Sequence, residues 1–206
     1  MKTFMPALMG LILLGACSTS TRPAPPEITA AYASECVANE FDYLRLDFET
    51  FNEDKKKGWR SVGKIKGCER SAASLLQAYR ERMYEQNIDG MMWHEAQLRA
   101  AAGDSEHAIY LFSQTRKTHD LPMQLYRDAT IAYLKQDKTA LLTARKNLAA
   151  VSMPDGFAKG VAQFKKQYPD APAPTWPMNL DVVDGFLNCF DKPYSQAYSR
   201  ECQPHN

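Results

Sequence analysis

The chain has 206 residues, of which 45% are hydrophobic and 24% charged. That composition describes one globular body or two small ones and excludes a disordered or fibrous chain. The 25 Lys and Arg nearly balance the 24 Asp and Glu, which argues against a broad nucleic-acid-binding surface, and the five cysteines cannot all pair with one another.

Residues 1–16, MKTFMPALMGLILLGA, carry one cation at Lys2, an apolar stretch from Phe4 to Leu14, and small residues at Gly15 and Ala16. They read as a secretory signal peptide, because a stable bilayer-spanning helix needs about 20 apolar residues. The run Leu14-Gly15-Ala16-Cys17 resembles the lipobox of bacterial lipoproteins. The resemblance implies cleavage before Cys17, acylation of its sulfur and new amino group, and a membrane anchor. Two or three acyl chains hold a protein where one does so marginally, since each buried methylene contributes about 0.8 kcal/mol. In that family Ser18, standing where Asp would retain the protein in the inner membrane, implies the outer membrane of a Gram-negative cell and a body facing the periplasm. Residues 17–30 then form a tether, polar and rich in Ser, Thr and Pro, with almost nothing to bury.

An all-α body is expected over residues 31–168, where apolar residues recur at helical spacing and no run alternates as a strand does. An exported chain meets oxidising conditions, so Cys36, Cys68, Cys189 and Cys202 are expected in two disulfides. Of the three possible pairings, the short loops favour Cys36–Cys68 with Cys189–Cys202. Phe41, Leu44, Phe48 and Phe51 are expected on one helix face. Next comes the densest basic run, Lys55, Lys56, Lys57, Arg60, Lys64, Lys66 and Arg70 around Trp59, either a solvated face or a contact surface for anionic head groups or an acidic partner.

Gly58 to Lys64 fits G-x-x-x-x-G-K, but Ile65 stands where magnesium binding needs a hydroxyl, and the preceding Asn52-Glu53-Asp54-Lys55-Lys56-Lys57 is no buried strand. No nucleotide or other cofactor is expected. Nor is a metal, for want of C-x-x-C pairs and because His94-Glu95 leads into Ala96-Gln97-Leu98, not HExxH.

Leu75, Leu76, Tyr79 and Met83 mark a second apolar stripe. From Gly67 the pattern returns at Gly103 and Gln136, offsets of 36 and 33 residues. Here the chain resembles tetratricopeptide repeats, with a period of about 34 residues. Ala72 and Ala108 occupy the small position that lets paired helices approach, whereas Leu141 and Gln136 depart from the pattern in the third unit. The resemblance implies stacked antiparallel hairpins with a partner-binding groove on their first helices, at Trp93, Gln97, Arg127 and Thr130.

A further stripe at Phe157, Val161, Phe164 and Tyr168 is expected in the core. Residues 169–178 hold four prolines and cannot continue a helix, so they form a connector pinned by Trp176. Residues 179–206 are expected to form a helical cap: one helix through Leu180, Val183, Leu187 and Phe190, capped by Asn179 or Asp181, a second from Tyr194 to Cys202, and a bridge between them. Such a cap would cover the last open face of a stack.

No catalytic residue is assigned. G-x-S-x-G is missing, since Ser61 lies one residue out of step. Asp181 and Asp184 have the i, i+3 spacing of an ordinary helix face, and His94 and Glu95 are adjacent and point about 100° apart. The expected function is a non-enzymatic scaffold binding a protein or peptide in the envelope. The alternatives are an inhibitor or immunity protein against a toxin or hydrolase, and an envelope hydrolase with a site assembled from distant residues.

Overall fold

The computed structural model describes residues 32–82, 88–115 and 120–204. The signal peptide, Cys17 and the tether lie outside the described residues, as do Met83, His119 and His205. Among the described residues every regular element is helical and there is no strand. No helix among them is long and apolar enough to cross a membrane.

The Phe41-to-Phe51 stripe is broken into two short helices, α1 (Phe41–Leu44) and α2 (Phe48–Asn52). The break is Asp47, which takes an extended conformation and accepts a hydrogen bond from Thr50 N at 2.9 Å. An aspartate with that geometry starts a helix and cannot continue one. Phe51 is fully buried and stacks on Tyr79, ring centroids 3.8 Å apart. Burial of such a side chain stabilises by about 1.5–3 kcal/mol.

Helix α3 (Gly58–Gly63) follows, so the glycines of the G-x-x-x-x-G-K pattern sit at the ends of a short helix. Gly58 has φ +54, and a Cβ there would lie 2.1 Å from the Phe51 carbonyl oxygen. Only glycine fits this turn. The remaining helices are α4 (Glu69–Arg82), α5 (Ile88–Ala101), α6 (Ser105–Gln114), α7 (Leu121–Leu134), α8 (Lys138–Ala149), α9 (Phe157–Gln167), α10 (Leu180–Asn188) and α11 (Tyr194–Ala197). Chain neighbours from α3 to α8 pack against each other, while α10 lies against α7 and α8 and α11 against α5.

The repeated turns share one backbone device. Gly67, Gly103 and Gln136 all have positive φ, at 90°, 79° and 57°. In the last two turns the bonds coincide: Gly103 N donates to Ala100 O and Asp104 N to Arg99 O, as Gln136 N does to Tyr133 O and Asp137 N to Ala132 O. This is the left-handed helix stop in which two orphan carbonyls are satisfied. Gln136 adopts it despite the missing glycine. The residues one turn further on, Ala72, Ala108 and Leu141, are all fully buried.

The buried apolar residues form two clusters. One gathers Val37, Leu44, Phe51, Trp59, Val62, Leu75, Leu76, Tyr79 and Met91, and the Cys36–Cys68 disulfide, Cα atoms 5.5 Å apart, lies within it. The other gathers Ala96, Ala100, Leu111, Phe112, Tyr126, Tyr133, Leu141 and Leu148 with Val183, Phe186, Tyr194 and Ala197 of the C-terminal segment. Cys189–Cys202, Cα atoms 5.8 Å apart, closes that segment. Both bridges join the cysteines paired by short loops.

Three expectations need correction. The stripe of α9 is not core: no residue of α9 is buried, and Phe157 instead meets Trp176 edge to face at 5.2 Å. Trp176 does pin the connector, donating to Val151 O at 2.9 Å. The helix expected from Tyr194 to Cys202 stops at Ala197, and Asn179 precedes α10 in a left-handed conformation without capping it through its side chain.

Candidate functional site

Trp93, Gln97, Arg127 and Thr130 were expected to line an open groove, and the structure gives them other work. Trp93 packs its ring edge to face on Phe112 at 4.7 Å and against Tyr126 at 5.4 Å, joining α5, α6 and α7. Thr130 is fully buried and its hydroxyl donates to the Tyr126 carbonyl, so it offers no surface to a partner. Arg127 is 8% exposed and pairs with Asp128 at 3.1 Å. Gln97 is the most informative of the four. Its amide donates to the Tyr198 hydroxyl at 3.2 Å and its carbonyl accepts from His94 Nδ1 at 3.1 Å.

The face of α5 and α7 is thus occupied by the chain's own C-terminal segment. Phe186 stacks on Tyr133 at 4.7 Å, Tyr194 stacks on Tyr198 at 5.4 Å, and the Tyr133 hydroxyl donates to the Lys192 carbonyl. Arg145 on α8 clamps Asp184 on α10 through two nitrogens, at 2.8 and 3.3 Å. The segment crosses α5, α7 and α8 and does not simply close the end of a stack, because its aromatic residues complete the same apolar cluster.

Docking of this segment leaves a cleft of about 580 Å³ between it and the proline-rich connector. Pro172, Pro174 and Thr175 form one wall, and Met178, Asp181 and Arg200 line the other parts. Asp181 therefore faces the cleft while Asp184 is held by Arg145, and the pair does not act on one site. A cleft of this size suits a short peptide or small ligand. The proline density of the connector was the only sequence signal for it.

Glu95 and His94 separate as adjacent helix residues must. Glu95 is fully buried beneath α4, where Arg80 reaches one carboxylate oxygen at 3.0 Å and Arg99 the other at 3.1 Å. Burial pushes the Glu95 carboxyl up, against the opposing pull of the two guanidiniums. Arg99 also donates to Gln77 Oε1 at 2.9 Å and lies 3.5 Å from Asp104, which in turn meets Arg70 at 3.2 Å and His107 Nδ1 at 2.6 Å. Burial raises Asp104, but the His107 hydrogen bond and the neighbouring cations outweigh it and hold the carboxyl low. This network ties α4, α5 and α6 together. Its sequence signal, Glu95 and Arg99 at i, i+4, was too common to single out. His94 faces the other way, 5.1 Å from the Trp59 ring, and burial pushes its imidazole down.

The basic run covers the turn before α3, α3 itself and the turn after it. Lys55, Lys56, Lys57, Lys64 and Lys66 are exposed. Arg60 is half-buried, with its guanidinium 4.2 Å from the Trp59 ring centroid and its Nε donating to Asn52 O at 2.9 Å. No group of three or more His, Cys, Asp or Glu side chains among the described residues could hold a metal ion.

Compared with protein-family models, with curated proteins and with solved structures, the chain matches none, so its fold and its sites rest on its own residues.

Proposed function

We propose that the chain is an exported lipoprotein, acylated at Cys17 and held in the outer membrane, whose helical body is a non-enzymatic scaffold for a protein or peptide of the periplasm. The observation that carries the first half is the cysteine pairing. Two bridges use Cys36, Cys68, Cys189 and Cys202, which leaves Cys17 of Leu14-Gly15-Ala16-Cys17 as the one cysteine over. Two disulfides fit an oxidising compartment, and an odd cysteine in a lipobox fits acylation.

The scaffold half rests on the hairpins. Left-handed turns recur at Gly67, Gly103 and Gln136, with the offsets of tetratricopeptide-like units. Helical hairpins of that kind serve binding far more than chemistry, although fold alone does not fix function. With the α5 and α7 face filled in cis, the cleft beside Met178, Asp181 and Arg200 is the concave surface assigned to a peptide.

The protein isolated from a Gram-negative envelope is expected to show a mass increase of a diacylglyceryl and an N-acyl group on a peptide beginning at Cys17. Cys17→Ser is expected to leave the membrane fraction, and a variant that stays there at unchanged mass overturns the anchor. A photo-crosslinking residue in place of Met178 is expected to capture one defined protein in intact cells, and Arg200→Glu to abolish that capture. Capture unaffected by Arg200→Glu removes the cleft assignment.

A further inference from the structure

The basic run was left open between a solvated face and a contact surface, and its geometry favours contact. From Lys55 to Lys66 the chain carries six cations and no acid. The two acids just before it are engaged in hydrogen bonds of their own: Glu53 accepts from Asn52 Nδ2 at 2.6 Å and Asp54 from the backbone N of Lys56 at 2.8 Å. Among the described residues no salt bridge involves Lys55, Lys56, Lys57, Lys64 or Lys66. Lys64 Nζ donates to the Lys55 carbonyl, so the turns on either side of α3 are tied into one surface. Between Lys64 and Lys66 stands Ile65, 50% exposed. An exposed apolar side chain flanked by lysines without carboxylate partners suits an interface that is anionic at its surface and apolar just beneath.

The position of the patch points the same way. Cys68 N donates to Ile65 O at 2.9 Å, and Cys68 is bridged to Cys36, six residues beyond the tether expected over residues 17–30. The body therefore leaves its tether at the end that carries the patch. From Cys17 the intervening chain reaches at most about 50 Å, so an anchored protein keeps this end near the bilayer and at high local concentration.

We infer that Lys55, Lys56, Lys57, Lys64 and Lys66, with Ile65 at their centre, dock the body onto anionic phospholipid head groups of the membrane that holds the lipid anchor. Ile65 enters the head-group region and the ammonium groups meet lipid phosphates. The body then lies against the membrane by its N-terminal end. The inference rests on the anchored reading for its biological setting, but the contact itself needs no acyl chain.

The test uses a chain beginning at Ser18, without leader or lipid. It retains every described residue and both disulfides, and intact bridges with an unchanged circular-dichroism spectrum confirm its fold. Sedimentation with vesicles of phosphatidylcholine alone is compared with vesicles that also contain phosphatidylglycerol. Binding is expected only to the second, and is lost at high salt. Joint charge reversal at Lys55→Glu, Lys56→Glu and Lys57→Glu is expected to weaken it about a hundredfold, on the order expected for three lysines at an anionic surface. The charge-matched triple reversal Lys159→Glu, Lys165→Glu and Lys166→Glu in α9 leaves it unchanged. Ile65→Trp is expected to blue-shift its added fluorescence only with anionic vesicles. Equal binding to neutral vesicles, no binding to either, or full binding by the triple variant overturns the inference, as does a basic run that captures an acidic protein while ignoring vesicles. Because this protein carries no lipid, these outcomes are independent of the Cys17 mass and Cys17→Ser fractionation that test the anchor.

Discussion

The cluster around Phe51, Leu75 and Tyr79 draws on α1, α2 and α3, helices of 4, 5 and 6 residues, whereas the cluster around Tyr133 and Phe186 draws mainly on helices of 9 to 14. Helices of one turn do not persist alone, so the N-terminal cluster depends on a long-range staple, an Asp47 cap and a glycine that fits only at Gly58. The C-terminal cluster is built from longer helices packed as chain neighbours, and its disulfide spans 13 residues against 32 for the other. Helix α5 belongs to both, with Met91 in one cluster and Ala96 and Ala100 in the other. The halves are joined by the shared helix α5 and, across α4 and α5, by a buried polar contact. That contact is Glu95, held between Arg80 of α4 and Arg99 of α5.

Breaking that joint has the largest expected effect. Glu95→Ala leaves Arg80 and Arg99 facing each other without their carboxylate, and Arg99 is 2% exposed. Removal of one partner from a buried ion pair costs about 3–5 kcal/mol. Urea titration followed by hydrogen exchange is expected to show that loss and separate unfolding of the two clusters. A small loss with one cooperative transition would place the joint in apolar contacts instead. The disulfides come next. On the chain-entropy model the Cys36–Cys68 loop stabilises by about 4 kcal/mol and the Cys189–Cys202 loop by about 3. Replacing Cys36 and Cys68 together by Ser is expected to expose amides of α1 to α3 first, while the double replacement at Cys189 and Cys202 frees α10 and α11. Equal loss of protection everywhere in both would contradict the division.

Much of this comparison could be read from residues, and the remainder could not for reasons of physics. The helical class follows from spacing at Leu75, Leu76 and Tyr79, and the bridges from loop length. Spacing reports which residues share a face but not what covers it. Phe157, Val161 and Phe164 make as clean a stripe as any in the core, yet α9 buries none of them. Trp93 and Thr130 were expected on an open groove, yet the C-terminal segment lies on α5, α7 and α8, and its Phe186 and Tyr194 belong to the buried cluster there. Asp47 also shows how one capping side chain splits a continuous apolar pattern into two helices. The basic run was visible in full, but the tie from Lys64 to Lys55 and the exposure of Ile65 needed coordinates.

A milder probe of the N-terminal half is pH. His94 sits against Trp59, and burial lowers its pKa from 6.5, helped by the nearby Arg60 charge and opposed by Gln97 and Glu53. The unfolded chain therefore binds this proton more readily than the folded one. The contribution from neutral His94 is fully present above the unfolded value of about 6.5 and is lost as pH falls below it towards the lower folded pKa. Urea midpoints are expected to drop over that window, and His94→Gln to flatten the profile there. A profile unchanged by His94→Gln would assign the acid sensitivity elsewhere. Asp104 acts in a separate range: its lowered pKa gives stability that is present above about 3.8 and lost only as pH falls further.

The smallest effect tests the C-terminal half at a left-handed turn that lacks glycine. Gln136 holds φ +57 where the equivalent turn has Gly103, and the backbone bonds around the two are the same. A side chain in this conformation costs about 1 kcal/mol or more. Glycine removes that strain but loses more entropy on folding, and the bond from Gln136 Nε2 to Tyr133 O at 3.1 Å goes with the side chain. The balance favours Gln136→Gly by about 0.5 kcal/mol, a rise of roughly 1–2 °C in Tm for a chain of this size. Gly103→Ala carries the opposite sign. No atom lies within 4 Å of the added Cβ, so its cost of about 1 kcal/mol is purely that of the left-handed backbone. Opposite signs at equivalent positions would show that one turn geometry, and not one residue, defines these hairpins; equal signs would mean that the two turns are alike only in outline.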